Sequence, residues 1–216
     1  MKKKSLGKLL TLIACVLALV VAGIAGTYAY LIDDDEVVNT FTVGDVQISL
    51  DETDVDGDNN TKENAYHLIP GETYLKDPTV TVLEDSEESY VRILMTLKNA
   101  ADLKAIMADK NLELDDFITD LNADWVLKGV KEDTANDALV YEYRYKTPVS
   151  GMNGEVELPA LFETLAVPGV LDGDDLKALY GTNGEFEMIF KAHAIQASGF
   201  ENAEDAAWAA FDAQIA

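Results

Sequence analysis

The acidic segment 52–63 carries side chains whose type and spacing could bind a metal ion. It reads ETDVDGDNNTKE, with oxygen-bearing side chains at positions 1, 3, 5, 9 and 12 of the segment and glycine at position 6. This is the spacing of an EF-hand loop, in which carboxylate, amide and backbone oxygens surround Ca²⁺. The predicted calcium ligands are Glu52, Asp54, Asp56, Asp58, Asn60 and Glu63.

The same segment departs from the EF-hand pattern in three ways. Glu52 replaces the usual first aspartate, and Asn59 stands where an apolar residue is usual. The flanking residues also read as strands, whereas an EF-hand loop lies between helices. A solvated acidic loop that holds no ion is therefore the alternative interpretation.

Two histidines, His67 and His193, are the other residues that could do chemistry. Both fall on predicted strands, and together with a carboxylate they could form a zinc site if those strands are neighbours. The H-E-x-x-H motif of zinc peptidases and the G-x-S-x-G motif of serine hydrolases do not occur in the sequence. We therefore interpret both histidines as ordinary strand residues and predict no catalytic residue.

Charge and composition exclude several classes of partner. The 216 residues include 40 acidic and 16 basic side chains, for a formal net charge of −24. Phosphate backbones would repel such a chain, so nucleic acid is excluded as a partner. The apolar fraction of 48% is large enough to build a core, and the length suits one domain.

The N-terminus has the layout of a secretory signal peptide. Lysines before residue 9 form a positive region, residues 9–25 carry no charge, and small residues at Thr27 and Ala29 define a cleavage site after Ala29. We predict a signal peptide over 1–29, so that contact with the membrane occurs only in the uncleaved precursor. A retained membrane anchor and lipidation at Cys15 are the alternatives.

Cleavage after Ala29 would change both the charge and the cysteine content. It leaves 187 residues with 12 basic and 40 acidic side chains, a net charge of −28 and no cysteine. Disulfides and thiolate metal sites are then impossible. Mutual repulsion between copies predicts that acid, salt or divalent cations promote self-association.

Hydrophobic periodicity predicts a mainly β protein over 39–216, with a helical insert near 100–122. The predicted strands are 39–50, 76–83, 90–97, 125–130, 139–146 and 185–197, and the predicted helices are 100–110, 114–121, 172–179 and 203–211. Within 139–146, Tyr141, Tyr143 and Tyr145 share one face. We expect an antiparallel β-sandwich with short inserted helices and a C-terminal helix.

Four short motifs together resemble the TasA/camelysin family of exported Gram-positive proteins. They are Gly26-Thr27-Tyr28-Ala29 at the cleavage region, Asn39-Thr40-Phe41-Thr42-Val43-Gly44-Asp45-Val46 with its F-x-x-G strand, Leu68-Ile69-Pro70-Gly71 followed by Lys76-Asp77, and Ala192-His193-Ala194-Ile195-Gln196 in the last strand. The order of the motifs makes the match stronger than any motif alone. Residues 100–180 carry none of them.

The resemblance implies a jelly-roll sandwich that is secreted to the extracellular matrix or the cell surface of a Gram-positive bacterium. It implies cleavage by a SipW-type signal peptidase and assembly into biofilm-matrix fibres with copies of itself and other matrix proteins. The expected assembly segment is 30–38, with its apolar residues Tyr30, Leu31, Ile32, Val37 and Val38. A disordered lead-in is the alternative for this segment. A camelysin-type surface metallopeptidase or a monomeric surface-binding module are the alternative functions.

Overall fold

Antiparallel sheets dominate this computed structural model, which describes residues 45–180 and 186–215. The strands are β1 Ile48–Asp51, β2 Thr73–Leu75, β3 Thr79–Val82, β4 Ser89–Lys98, β5 Trp125–Asp133, β6 Ala138–Tyr145, β7 Val156–Glu157, β8 Thr164–Ala166 and β9 Met188–Gln196. The helices are α1 Ala100–Lys110, α2 Gly173–Leu179 and α3 Glu204–Ile215. The prediction of a mainly β protein is confirmed.

The strands form three sheets in the described residues. The largest has the order β5-β6-β4-β9, a second has the order β1-β3-β7, and β2 pairs with β8. The ten-residue strand β4 is central to the largest sheet, because it pairs with β6 along one edge and with β9 along the other. Side chains alternate between its two faces, so both faces of the sheet must be covered.

One face of the four-stranded sheet contributes to the main apolar core. Val91, Ile93 and Met95 of β4 are fully buried there, together with Val80 and Val82 of β3. The predicted tyrosine face of β6 lies in the same core: its members Tyr141 and Tyr143 are buried, and Tyr145 packs against them. That part of the sequence interpretation is confirmed.

The opposite face of the sheet is covered by α3. Trp208 and Ala207 of the helix are fully buried against Tyr90 of β4 and Ala197, in a second and smaller apolar cluster. Phe211, one turn after Trp208, packs at the edge of this cluster. The predicted C-terminal helix with Trp208 and Phe211 on one side is confirmed.

The predicted helix over 114–121 is wrong beyond its first turn. Only the 3₁₀ turn Leu114–Asp116 forms, closed by a capping box between Glu113 and Asp116. The carbonyl of Phe117 then accepts a hydrogen bond from the Ala166 backbone N–H at 2.8 Å, so it cannot bond to a continuing helix. Ile118 leaves the turn and is buried in the main core.

Several predictions fall outside the described residues. These are the signal peptide 1–29 with its cleavage residues Thr27 and Ala29, and the assembly segment 30–38. The predicted first strand is described only from residue 45, and its regular part is β1. Over 45–180 and 186–215, no helix has the length and apolar character needed to cross a membrane.

Candidate functional site

Three aspartates of the acidic loop lie together. One carboxylate oxygen from each of Asp54, Asp56 and Asp58 is within 4.8 Å of the others, and Asp56 and Asp58 are exposed. This is the one group of three or more His, Cys, Asp or Glu side chains within metal-binding distance in the part of the chain that the structure describes. Hard oxygen ligands at this spacing suit Ca²⁺ better than a transition metal.

Backbone N–H groups fold the loop around the first of these aspartates. Asp54 accepts hydrogen bonds from the N–H of Gly57 at 2.7 Å and of Asn59 at 2.8 Å. Gly57 (φ 81°) and Asn59 (φ 65°) are left-handed, a conformation that glycine and asparagine tolerate best. These bonds, above all that from Gly57, lower the pKa of Asp54 and keep it ionised.

The three grouped aspartates fall on EF-hand positions 1, 3 and 5 if the loop begins at Asp54. With Asp54 as the first ligand, Asp56 and Asp58 take the third and fifth places, Asn60 takes the seventh, and the left-handed Asn59 stands where an EF-hand has its glycine. Glu52 and Glu63 are not members of the aspartate group. The twelfth place falls on an alanine, which offers no carboxylate.

Glu52 instead belongs to a partly buried cluster at the base of the acidic loop. Its Oε1 and Oε2 accept hydrogen bonds from Lys76 Nζ at 3.0 and 2.9 Å. Oε2 also accepts from Asn64 Nδ2 at 3.3 Å. The Lys76 ammonium lies 5.1 Å from the ring centroids of both Tyr66 and Phe190. Sequence reasoning missed this cluster because its members come from four different segments.

The two histidines do not form a site together. His67 is exposed and lies outside any strand, so the expectation that it belongs to a strand is wrong. His193 lies on β9, where its Nδ1 accepts a hydrogen bond from Arg92 Nε at 3.2 Å and its ring lies 4.9 Å from that of Phe211. Neither histidine belongs to a group of potential metal ligands in the described residues.

A row of basic side chains crosses the sheet beneath α3. Strand register places Arg92 directly opposite Arg144 on β6 and opposite His193 on β9. Both arginines are buried, which requires opposite charge nearby. Helix α3 supplies it: Asp212 accepts from Arg92 Nη2 at 2.5 Å and Asp205 from Arg144 Nη1 at 2.6 Å.

Glu142 on β6 adds a third negative charge beside the two arginines. It accepts a hydrogen bond from Arg144 Nε at 2.6 Å and lies 3.6 Å from Arg92 Nη1. Both guanidinium groups also contact the Trp208 ring: the guanidinium carbon of Arg92 lies 4.4 Å and that of Arg144 5.8 Å from its centroid. Stacked cations of this kind add to apolar burial. The row therefore anchors α3 to the sheet.

Strand β5 presents a long free edge. It is hydrogen-bonded to β6 alone among the described strands, and seven of its nine residues are exposed. Val126, Leu127 and Val130 keep 42%, 45% and 50% of their surfaces in solvent. Such an edge is a template for another strand.

The apolar cavity beside α1 and α2 has a volume of about 30 Å³. Aliphatic and aromatic side chains line it, including Leu97, Leu103 and Phe117. It has room for about two water-sized spheres. The cavity thus brings no polar or titratable group to a ligand, and we interpret it as a packing defect.

Comparison with protein-family models, with curated proteins and with solved structures finds no match for this chain. The chain is a mainly β protein of antiparallel sheets, with an acidic aspartate loop, one long exposed edge strand and a helix held on its largest sheet by ion pairs.

Proposed function

We propose that this protein is a secreted structural component of an extracellular matrix, a jelly-roll sandwich that assembles into fibres. In this proposal residues 30–38, freed by signal-peptide cleavage, add as a strand to a sheet edge of the next copy. The observation that carries it is the exposed edge of β5. A head-to-tail contact of this kind does not close on itself and therefore produces a filament.

The chemistry of the two segments supports the pairing. Segment 30–38 reads YLIDDDEVV, an acidic run between two apolar stretches. Strand β5 offers exposed Val126, Leu127 and Val130 together with two lysines, Lys128 and Lys131. These lysines offset Glu132 and Asp133 of the same strand, so β5 carries no net charge within a chain of net charge −24. An incoming acidic strand is therefore repelled less there than by the chain's net charge elsewhere. The jelly-roll arrangement is supported by the main core, which takes residues from β3, β4 and β6.

Two N-terminal truncations test the assembly proposal. Protein that begins at Tyr30 should form fibres visible by electron microscopy, whereas protein that begins at Phe41 should stay dispersed because it lacks the pairing segment. The comparison is best made in added salt, which screens the repulsion between copies. Equal fibre formation by both proteins would contradict the proposal.

A substitution on β5 tests the acceptor edge separately. Val130→Glu places a charge on the exposed strand and should slow fibre growth at least about tenfold, because an acidic donor strand would meet it. Val170→Glu is the matched control: Val170 is also exposed, at 61%, but lies outside the strands. Growth rates that fall equally in both variants would argue against β5.

Calcium binding by the aspartate loop is a second candidate function, favoured by the convergence of Asp54, Asp56 and Asp58. Calorimetric titration should detect Ca²⁺ binding, and Asp58→Asn should weaken it about tenfold or more because ligand charge sets the affinity of such loops. Asp85→Asn, an exposed left-handed position elsewhere, is the control. Absence of heat at millimolar Ca²⁺, or equal affinity in the two variants, would reject this site.

A further inference from the structure

One carboxylate oxygen bridges an amine and a carboxamide at the base of the acidic loop. Glu52 Oε2 lies 2.9 Å from Lys76 Nζ and 3.3 Å from Asn64 Nδ2. A carboxylate in this position can take a proton from the amine and deliver one to the amide nitrogen. The two nitrogen-bearing groups are thus held beside a shared proton carrier.

The cluster is shielded from solvent. Lys76 is 6% exposed, and the Glu52 side chain is 11% exposed. The rings of Tyr66 and Phe190 flank the amine. Burial, reinforced by the Glu52 charge, raises the pKa of Tyr66. The amine nitrogen and the carboxylate are therefore held in contact away from bulk solvent, where Glu52 can act on the amine as a general base.

The carboxamide of Asn64 is held by two further hydrogen bonds. Its Oδ1 accepts a hydrogen bond from the Val55 backbone N–H at 2.9 Å, and its Nδ2 donates to the Thr53 carbonyl at 3.0 Å. The Val55 N–H points at the oxygen that would gain negative charge when a nucleophile adds to the carbonyl carbon. This is the arrangement of an oxyanion-stabilising donor.

We propose that Lys76 and Asn64 join in an intramolecular amide cross-link, with Glu52 as the catalytic proton carrier. The lysine nitrogen attacks Asn64 Cγ, the Nζ–Cγ bond forms, and the Cγ–Nδ2 bond breaks. Two protons pass from the lysine nitrogen to the leaving nitrogen by way of Glu52, which ends as a carboxylate. Ammonium leaves, and the reaction needs no oxidant, reductant or other partner.

The cross-link would tie the acidic loop covalently to the segment that leads into β3. The sequence has a single cysteine, Cys15, so a disulfide within 45–215 is impossible. An amide between side chains would supply the constraint that a disulfide gives other secreted domains, by limiting the freedom of the unfolded chain. The cross-link is independent of whether the protein forms fibres.

Peptide mapping of the full chain tests the proposal. Without a cross-link, trypsin cuts after Lys62, Lys76 and Arg92 and yields peptides 63–76 and 77–92. With the cross-link, acylated Lys76 resists trypsin, so a single peptide 63–92 appears, lighter by the mass of one ammonia. Peptides 63–76 and 77–92 at full mass, from folded protein, would overturn the proposal.

Variants identify the reacting groups. Lys76→Arg keeps the cation, and Asn64→Ala removes the carboxamide; both should abolish the mass loss, as should Glu52→Gln. Asn64→Asp should still react but lose water instead of ammonia. Lys62→Arg, at an exposed ion pair nearby, should leave the cross-link intact. A mass loss with Lys76 still cut by trypsin would indicate cyclisation of Asn64 alone and would reject the cross-link.

Discussion

Replacing Trp208 by alanine should lower the free energy of unfolding by about 3–5 kcal/mol, the range for removing a buried tryptophan. Trp208 is 1% exposed and is the largest fully buried side chain in the described residues. It is the centre of the small cluster between α3 and the outer face of the four-stranded sheet. Its loss would remove the ring that both Arg92 and Arg144 contact, and Arg92 would keep only Phe211, 5.1 Å away.

The effect should be concentrated in α3, because a twelve-residue helix is marginal on its own in water. Chemical denaturation would give the free energy of unfolding, and hydrogen exchange would show whether the amides of α3 lose protection first. Phe211→Ala is the comparison within the same helix, and a smaller loss is expected because Phe211 is only partly buried.

Trp208→Phe separates packing from hydrogen bonding. The indole Nε1 of Trp208 is buried and has no hydrogen-bond partner in the described residues. Phenylalanine removes that unpaired donor, which offsets part of the lost volume. We expect a cost well below that of the alanine variant. A Trp208→Ala cost under about 1 kcal/mol would contradict the role of this cluster, since exposed substitutions fall in that range.

Local patterns predicted the elements that build the main core. The alternation of Tyr141, Tyr143 and Tyr145 along 139–146 predicted that these three residues share one face of β6, because strand side chains alternate strictly. The N-cap Asp172, which accepts from the N–H groups of Asp174 and Asp175, gave α2 its start. These features depend on neighbours along the chain, so a single sequence contains them.

Contacts between distant segments could not be predicted in the same way. The spacing of segment 52–63 made Glu52 a calcium ligand, but its partner is Lys76, which follows β2 and lies 24 positions away. Arg92 and Arg144 lie on strands, but the carboxylates that neutralise them, Asp212 and Asp205, come from α3 at the far end of the chain. Periodicity places a residue on a face but does not say what covers that face.

Lowering the pH should loosen α3 in two steps. Burial, with the nearby Arg92 charge, depresses the pKa of His193 below its ordinary 6.5. The unfolded chain therefore binds a proton at His193 more readily than the folded protein does. The contribution of His193 to stability is full above about pH 6.5 and is lost as the pH falls towards its lowered pKa in the folded protein.

The second step involves the two aspartates of α3. Hydrogen bonds from Arg92 and Arg144 depress the pKa values of Asp212 and Asp205 below 3.8. Their stabilisation is present above about pH 3.8 and is lost below it.

Substitutions of His193 and of Asp212 separate the two pH-dependent losses of stability. His193→Gln should flatten the fall in unfolding midpoint between about pH 7 and pH 5, because no group then changes its proton uptake there within the cluster. Asp212→Asn should lower stability at neutral pH and reduce the further loss of stability below about pH 3.8. Part of that loss should remain, because the pKa values of Asp51 and Asp54 are also lowered in the folded protein. Near-ultraviolet circular dichroism, sensitive to the packing of Trp208, can follow α3 through both steps. An upper step that persists in His193→Gln would assign it to a group outside this cluster.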